Sequence, residues 1–430
     1  MKKLFVFLII LVVSCSFIFA QGKTEVTEEA STSSTIKFIT YGGYHDALTA
    51  VVEAFEKSHP GVTVEMEEFP FNQLFDAIEI KMGSKDDNYD VILTDAPMLT
   101  GYAYNGFIAP MEEYMTEEEM NSFTDALKDS SMYDGKFYAP PLKNSCAIVW
   151  YNKDILDKTG IPYPSSEYED RMTWSEFSDI CIKVRNANDP SVYGFTFEQI
   201  SRPYQVLVLP NSLRAEGIGP DGITVDGFVN SPEFIESMQW YQDIHNKLDI
   251  SPKGVAPAET QALFTAGKLC FLAGNMFDYK TFENTPDLNY GYMPLPYFEN
   301  GTPVTPTDSW HVGLSNYSKN KELAAEFIKY LTLYEGNDIY LDVQGDFGAR
   351  KDVLNNYLVD DNFSEFPKTS FRLAAKEAMN TAKPRPLILG YREWESIMTS
   401  TMEDIRNNAP VKEALDNAVN SIAAQLAIYK

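Results

Sequence analysis

The stretch from Ile36 to Thr94 alternates strand and helix patterns closely enough to leave few folds open. Ile36-Lys37-Phe38-Ile39-Thr40 has the alternation of a strand, Tyr41-Gly42-Gly43 turns, and Ala47, Leu48, Val51, Val52 and Phe55 recur at helical spacing. His59-Pro60-Gly61 ends that helix. A second strand, Val62 to Phe69, leads into a helix with Phe71, Leu74, Phe75 and Ile78 on one face, then into the strand Asp90 to Thr94. Strands joined through helices run parallel, because a parallel return needs a crossover that a hairpin cannot supply. The class is therefore α/β.

In open parallel sheets ligands sit outside the carboxyl ends of the strands. Here those ends are Tyr41-Gly42-Gly43-Tyr44-His45, Phe69-Pro70-Phe71-Asn72 and Asp95-Ala96-Pro97. Aromatic rings, glycines that permit close backbone approach and single polar groups suit a carbohydrate-sized ligand. Tyr41, Gly42, Gly43, His45, Phe71 and Asp95 are candidate contacts on this ground, although the same residue types also serve turns and helix caps.

A second α/β region follows. Trp174 to Val184 has helical spacing, Gly194 to Phe197 reads as a short buried strand, and Ser231 to Leu248 as a long amphipathic helix whose Trp240 and His245 pack. Leu269 to Ala273 is a buried strand ending at Gly274-Asn275-Met276-Phe277, a helix is expected from Lys319 to Leu333, and the last one from about Pro410 to Ile428. At 430 residues the chain exceeds one ordinary core and points to two or three lobes.

The N-terminus, Met1-Lys2-Lys3 followed by the apolar run Leu4 to Val13, has the form of a secretory leader. Residues 1–20 are read as signal peptide, cut after Ala20, or alternatively as a leader for lipid attachment at Cys15 in Val12-Val13-Ser14-Cys15. Residues 21–35, rich in Ser, Thr and Glu, read as a tether. The expected location is outside the cytoplasm, in the periplasm or lipid-anchored on the outer side of the cytoplasmic membrane. Losing Lys2 and Lys3 leaves 33 basic against 62 acidic residues, a surface that repels nucleic acid.

Compact catalytic signatures are missing. The four histidines are scattered, no G-x-S-x-G elbow occurs, and Cys146, Cys181 and Cys270 fit neither a zinc site nor a disulfide framework. "GIGPDG" (217–222) has dinucleotide-like glycines but no helix to receive a pyrophosphate, so it reads as a turn. No metal or cofactor is expected. A glycosidase needs only two carboxylates and stays open at this point.

The blocks "YDVILTDAPMLTGYAYNGFIAPM", "DGKFYAPPLKNSCAIVWYNKDILDKTGI" with "TWSEF", "LFTAGKLCFLAGNMF", "GYMPLP", "DSWHVGLSNYSKNKELAAEFIKYL" and "GDFGARKDV" occur in one order. In this order the chain resembles the carbohydrate-binding, maltose-binding-protein-like solute-binding proteins of ABC importers, from about Ile36 to the C-terminus. The resemblance implies a two-lobe periplasmic-binding-protein fold of type II, each lobe a mostly parallel sheet flanked by helices, with a solute trapped by hinge closure. Lobe one would be 36–143 plus 289–333, and lobe two 144–288 plus 334–430.

It also implies a function: capture of a sugar, oligosaccharide or polyol and delivery to membrane permease subunits, by a monomer with no enzymatic step. By likeness of position the site would add Lys143, Asn144, Arg202, Tyr204, Asn275, Phe277, Asp308, Trp310, Arg350, Tyr391 and Trp394. Phe277 stands where the family usually has tryptophan. Lys143 could instead salt-bridge across the hinge, and Arg350 could clamp the lobes. The cations Lys143, Arg202 and Arg350 keep a phosphorylated polyol such as glycerol phosphate as an alternative. A secreted glycoside hydrolase and a structural surface protein complete the competing readings.

Overall fold

A computed structural model describes residues 34–307 and 310–429. The expected leader, Cys15, most of the tether and Asp308 lie outside the described residues. Two main sheets are built from β1 (Ser34–Tyr41), β2 (Val62–Phe69), β3 (Val91–Asp95), β4 (Ile108–Ala109), β5 (Ala147–Asn152), β6 (Tyr193–Phe197), β7 (Leu269–Asn275), β8 (Tyr290–Met293) and β9 (Trp310–Ser315). Because β1 begins at Ser34, the strand takes in the last two residues assigned to the tether.

The first sheet has the order β2-β1-β3-β9-β4, with β2, β1 and β3 parallel as the crossover pattern requires. Helix α1 (His45–Ser58) buries Ala47, Leu48, Val51, Val52 and Phe55 against it, and α2 (Phe71–Gly83) buries Leu74, Ile78 and Met82. Strand β9 arrives from far along the chain and inserts antiparallel to β3, with Trp310 opposite Asp95. That register carries Trp310 to the carboxyl end of β3, the ligand edge of a parallel sheet.

The second sheet has the order β8-β5-β7-β6. Only β6 and β7 pair in parallel, while β5 runs antiparallel to both neighbours, so this sheet is mixed rather than mostly parallel. The reason is that β5 enters from the other lobe instead of from a crossover helix. Pairing of Ala147 with Asn275 brings the start of β5 beside the end of β7, and both face the first lobe.

Three crossings join the lobes side by side. On the first, Leu142 N–H donates to Trp310 O (2.7 Å) and Asn144 N–H to Phe347 O (2.8 Å), while Thr307 on the second donates its hydroxyl to Asn144 Oδ1 (2.6 Å). Two boundaries differ from expectation. Tyr290–Met293 belongs to the second sheet, so the return crossing follows Met293 and the change of lobe does not fall between 288 and 289. The chain also stays with lobe one after Leu333: helix Glu335–Gln344 packs on α1, with Tyr340 buried 5.7 Å from the Tyr44 ring. Asn337 ties this helix down by donating to Leu142 O (2.8 Å) and Leu331 O (3.2 Å), so the third crossing is at Gly345–Arg350.

The remaining chain returns to lobe two, where helices Tyr391–Arg406 and Val411–Leu426 pack on Pro232–Asn246. Trp240 lies 4.7 Å from Trp174 and His245 is buried, as the packing reading expects. Gly219 and Gly222 close a turn at "GIGPDG". Cys146, Cys181 and Cys270 are free and buried, and burial pushes their thiols up. Among the described residues no helix is long and apolar enough to cross a membrane.

Candidate functional site

The ends of β1, β2 and β3 and the start of β9 in lobe one face the start of β5 and the ends of β6 and β7 in lobe two across a cavity of about 350 Å³. Lobe one contributes Tyr41, Gly43, Tyr44, Phe71, Asp95 and Trp310. The hinge side adds Lys143, Ser145, Gln344 and Asp346, and lobe two adds Gln199, Arg202, Tyr204, Phe277 and Arg385.

The lobe-one wall is an aromatic cluster. Tyr41 stacks on Trp310 (centroids 5.9 Å apart, planes at 5°), Phe75 lies nearly parallel to the same indole at 6.1 Å, and Tyr44 and Phe71 meet it edge-on. Trp310 is thus largely enclosed, while Tyr41 and Phe71 stay half-buried, as does Phe277 across the cleft. Gly43 is required by this packing: a Cβ there would lie 2.3 Å from the Tyr41 ring.

Charged groups tie the walls together in pairs. Arg385 donates to Asp95 Oδ1 (2.6 Å) from the opposite lobe, to Tyr391 Oη (3.1 Å) and to Glu395 Oε1 (3.4 Å), and packs over the Tyr204 ring. Arg202 donates to Glu395 Oε1 (2.7 Å) and lies over Phe71 of lobe one (5.4 Å). Burial would push the Glu395 carboxyl up, but the Arg202 and Arg385 guanidinium groups outweigh it and hold it below the usual range. At the hinge Lys143 donates to Asp346 Oδ1 (3.0 Å), whose other oxygen accepts from Tyr340 (2.8 Å). The Lys143 ammonium also sits 5.1 Å from the Tyr44 ring and 5.5 Å from Phe277.

Behind the lobe-two wall is a buried polar layer. Tyr204 donates to Ser145 O (3.0 Å) and Asn275 Oδ1 (3.1 Å), and Asn275 and Gln205 both donate to Glu198 Oε2 (3.1 Å each). Asn275 N–H donates to Asp278 (2.9 Å). Burial, with Asp278 nearby, raises Glu198 well above the carboxylate range, and burial pushes Asp278 up to about 7. The layer fixes the Tyr204 ring from behind.

Of the expected contacts, the structure brings Tyr41, Gly43, Phe71, Asp95, Lys143, Arg202, Tyr204, Phe277 and Trp310 to one cavity. Seven others are placed elsewhere. Gly42 backs onto Phe69 and Glu68, and His45 is exposed, its pKa raised by a hydrogen bond to Glu68 (2.9 Å). Asn144 is spent joining the crossings, and Asn275 supports Tyr204. Arg350 clamps the third crossing through Leu333 O (2.7 Å), Asp338 (3.0 Å) and Asp352 (3.1 Å). Tyr391 lies behind Arg385, and Trp394 is core, donating to Gly217 O (3.0 Å) where a Cβ would meet the indole at 2.7 Å. Tyr44 also lines the cavity, from the strand-end segment that the sequence picks out, and Ser145 follows Lys143 and Asn144 on the first crossing; Gln199, Gln344, Asp346 and Arg385 were missed. The one available signal was Arg385 standing between prolines in "KPRPL", a pattern that favours an extended segment.

Among the described residues no group of three or more His, Cys, Asp or Glu could hold a metal ion. The cavity instead offers half-buried rings, amides and ion-paired side chains, which suits a polar solute with apolar faces and many hydroxyls.

Comparison with known proteins bears on the family and the fold. The family described as bacterial extracellular solute-binding protein matches residues 41–338. The galactooligosaccharide-binding protein of Bacillus subtilis is 24% identical over 99% of this chain and 97% of its own length. Among solved structures, an ABC substrate-binding protein of Listeria monocytogenes in complex with cycloalternan superposes with a TM-score of 0.79 at 20% identity, covering 92% of this chain and 99% of that one. A solute-binding protein of Thermotoga lettingae bound with α-D-tagatose gives 0.76 at 19% identity, covering 92% and 100%.

Proposed function

The chain belongs to the bacterial extracellular solute-binding protein family, and from that premise we propose that it captures a sugar, oligosaccharide or polyol between its lobes and delivers it to an ABC transporter permease. The observation that carries the reading is the cavity itself. Half-buried Tyr41, Phe71 and Phe277 lie among Gln199, Gln344 and Asp95, at the carboxyl ends of parallel strands and between lobes joined by three crossings. Ring faces suit the C–H faces of a pyranose, and planar amides and carboxylates suit its hydroxyls. The galactooligosaccharide-binding relative supports the same solute class.

No enzymatic step is part of this function. Among the described residues, Asp95 and Asp346 are each bonded to a cation, and the carboxyls with raised pKa, Glu198 and Asp278, lie behind the lobe-two wall, so no free pair of carboxyls lines the cavity as a glycosidase would need. The protein is exported, anchored by lipid at Cys15 or free in the periplasm after cleavage at Ala20, and acts as a monomer.

The test is a thermal-shift screen of the chain from residue 34 onward against saccharides, polyols and glycerol phosphates. A bound solute adds about 2.7 kcal/mol when its concentration is a hundredfold above Kd. A saturable upshift with a saccharide or polyol is expected, and an upshift confined to glycerol phosphates would refute the proposed solute class.

A further inference from the structure

Resting on the reading that a solute is held between the lobes, we propose that Arg392 of lobe two is the latch of the closed cleft, gripping Asp76 and Glu79 on α2 of lobe one and slowing release of a solute that it does not touch.

The bridge is built from both lobes. Arg392 donates from Nη2 to Asp76 Oδ1 (2.8 Å), and its Nη1 lies 3.0 Å from Glu79 Oε1. Asp76 and Glu79 are three residues apart and so share one face of α2, while Leu74, Ile78 and Met82 fill its buried face. The same helix begins at Phe71, a wall residue of the cavity, and the two carboxylates stand about 8–12 Å further along its axis. Arg392, Asp76 and Glu79 all lie off the cavity wall. Arg392 follows Tyr391, whose hydroxyl accepts from Arg385 of that wall (3.1 Å). One turn of one lobe-two helix thus supports the wall through Tyr391 and reaches α2 through Arg392.

Local energetics do not account for these charges. A cation in the first turn of helix Tyr391–Arg406 opposes that helix's dipole, and Asp76 and Glu79 repel each other on α2. Among the described residues neither carboxylate meets another cation, and Lys81, the one cation of α2, is bound to Glu67 of β2 (3.1 Å). The two elements therefore relieve each other, and only while the lobes are together. The crossings are linked separately, through Asn144, Asn337 and Arg350, so a rotation about them carries Arg392 and α2 apart and breaks the bridge. Side-chain exposures of 41% for Arg392, 60% for Asp76 and 42% for Glu79 leave the bridge open to salt, unlike the buried Lys143–Asp346 pair.

The experiment is calorimetric titration of the chain from residue 34 onward with each mono- to pentasaccharide and polyol that raises its melting temperature in the screen above. Arg392→Glu should weaken binding about three- to thirtyfold, mainly through a faster off-rate, with little change in melting temperature when no solute is added. Adding Asp76→Lys and Glu79→Lys to that variant restores the bridge with its signs exchanged, and binding should return to within about threefold of wild type. Raising salt to about 1 M, where the Debye length is about 3 Å, should weaken wild type and leave Arg392→Ala unchanged. If a charge-reversed variant does not fold, the salt comparison of wild type with Arg392→Ala decides. Equal binding by wild type and Arg392→Glu, or a loss that neither the exchanged charges recover nor salt reproduces, overturns the latch and leaves the sugar reading standing. Binding of no saccharide or polyol, by a chain with a normal unfolding transition, overturns the sugar reading and the latch with it.

Discussion

Replacing Lys143 by Met decides what that cation is for. Its ammonium lies 3.0 Å from Asp346 Oδ1, with 4% and 3% of the two side chains exposed. At an effective dielectric of about 20 the pair attracts by about 5–6 kcal/mol, most of it offset by the desolvation of two ions. The net value of the pair is therefore small, but removing one partner leaves the other charge buried and unbalanced, at about 3–5 kcal/mol. With roughly 2–4 °C per kcal/mol for lobes of 150–250 residues, Lys143→Met should lower Tm by about 6–20 °C. The double variant Lys143→Met with Asp346→Asn removes both charges and keeps an acceptor for the Tyr340 hydroxyl, now 2.8 Å from Asp346. It should recover at least about 2 kcal/mol of the loss, read as urea midpoints by circular dichroism without ligand. A single variant that costs less than about 1 kcal/mol, or a double variant no more stable than Lys143→Met, would refute the bracing role.

Phe277→Ala should weaken saccharide binding at least tenfold in calorimetry while changing apo stability little, since its ring is half-exposed to the cleft; Trp310→Ala should instead cost about 3–5 kcal/mol in apo stability, because that indole is packed among Tyr41, Tyr44, Phe71 and Phe75. Equal apo losses in the two variants would show that both rings are core. The buried carboxyls predict a pH dependence: Asp278 is pushed up to about 7, so the folded state keeps a proton that the unfolded chain releases near 4, and this group's contribution falls as pH rises from about 4 to 7. His245, held near 3 by burial and Arg406, acts in the opposite sense, its contribution being lost as pH falls below about 6.5. The comparison of Asp278→Asn with wild type therefore carries the test: the variant should gain stability relative to wild type from pH 5 to pH 8, and a constant difference would show that Asp278 titrates normally.

Local pattern determined the first lobe almost completely. The period of β1, α1, β2, α2 and β3 is written in residues a few positions apart, and parallel pairing follows from the crossovers alone. The strand-end rule then put Tyr41, Gly43, Phe71 and Asp95 on one edge before any contact was known. Tertiary structure decided what closes over that edge. Asp95 meets Arg385 across 290 residues and Lys143 meets Asp346 across 203, and neither partner carries a periodic signal of its own. The same holds for the lobe boundaries, since Tyr334-Glu335-Gly336 reads as a helix end, yet the next helix stays in the same lobe because Tyr340 and Asn337 find partners there. Trp394 and Tyr391 share a helix face with the right chemistry for a sugar, and only Gly217 O and Arg385 make them core and support. Periodicity reports which face of an element is buried, through interactions within one or two turns. Which distant side chain that face meets depends on where three crossings bring two independently patterned lobes together, and that juxtaposition leaves no mark on local composition.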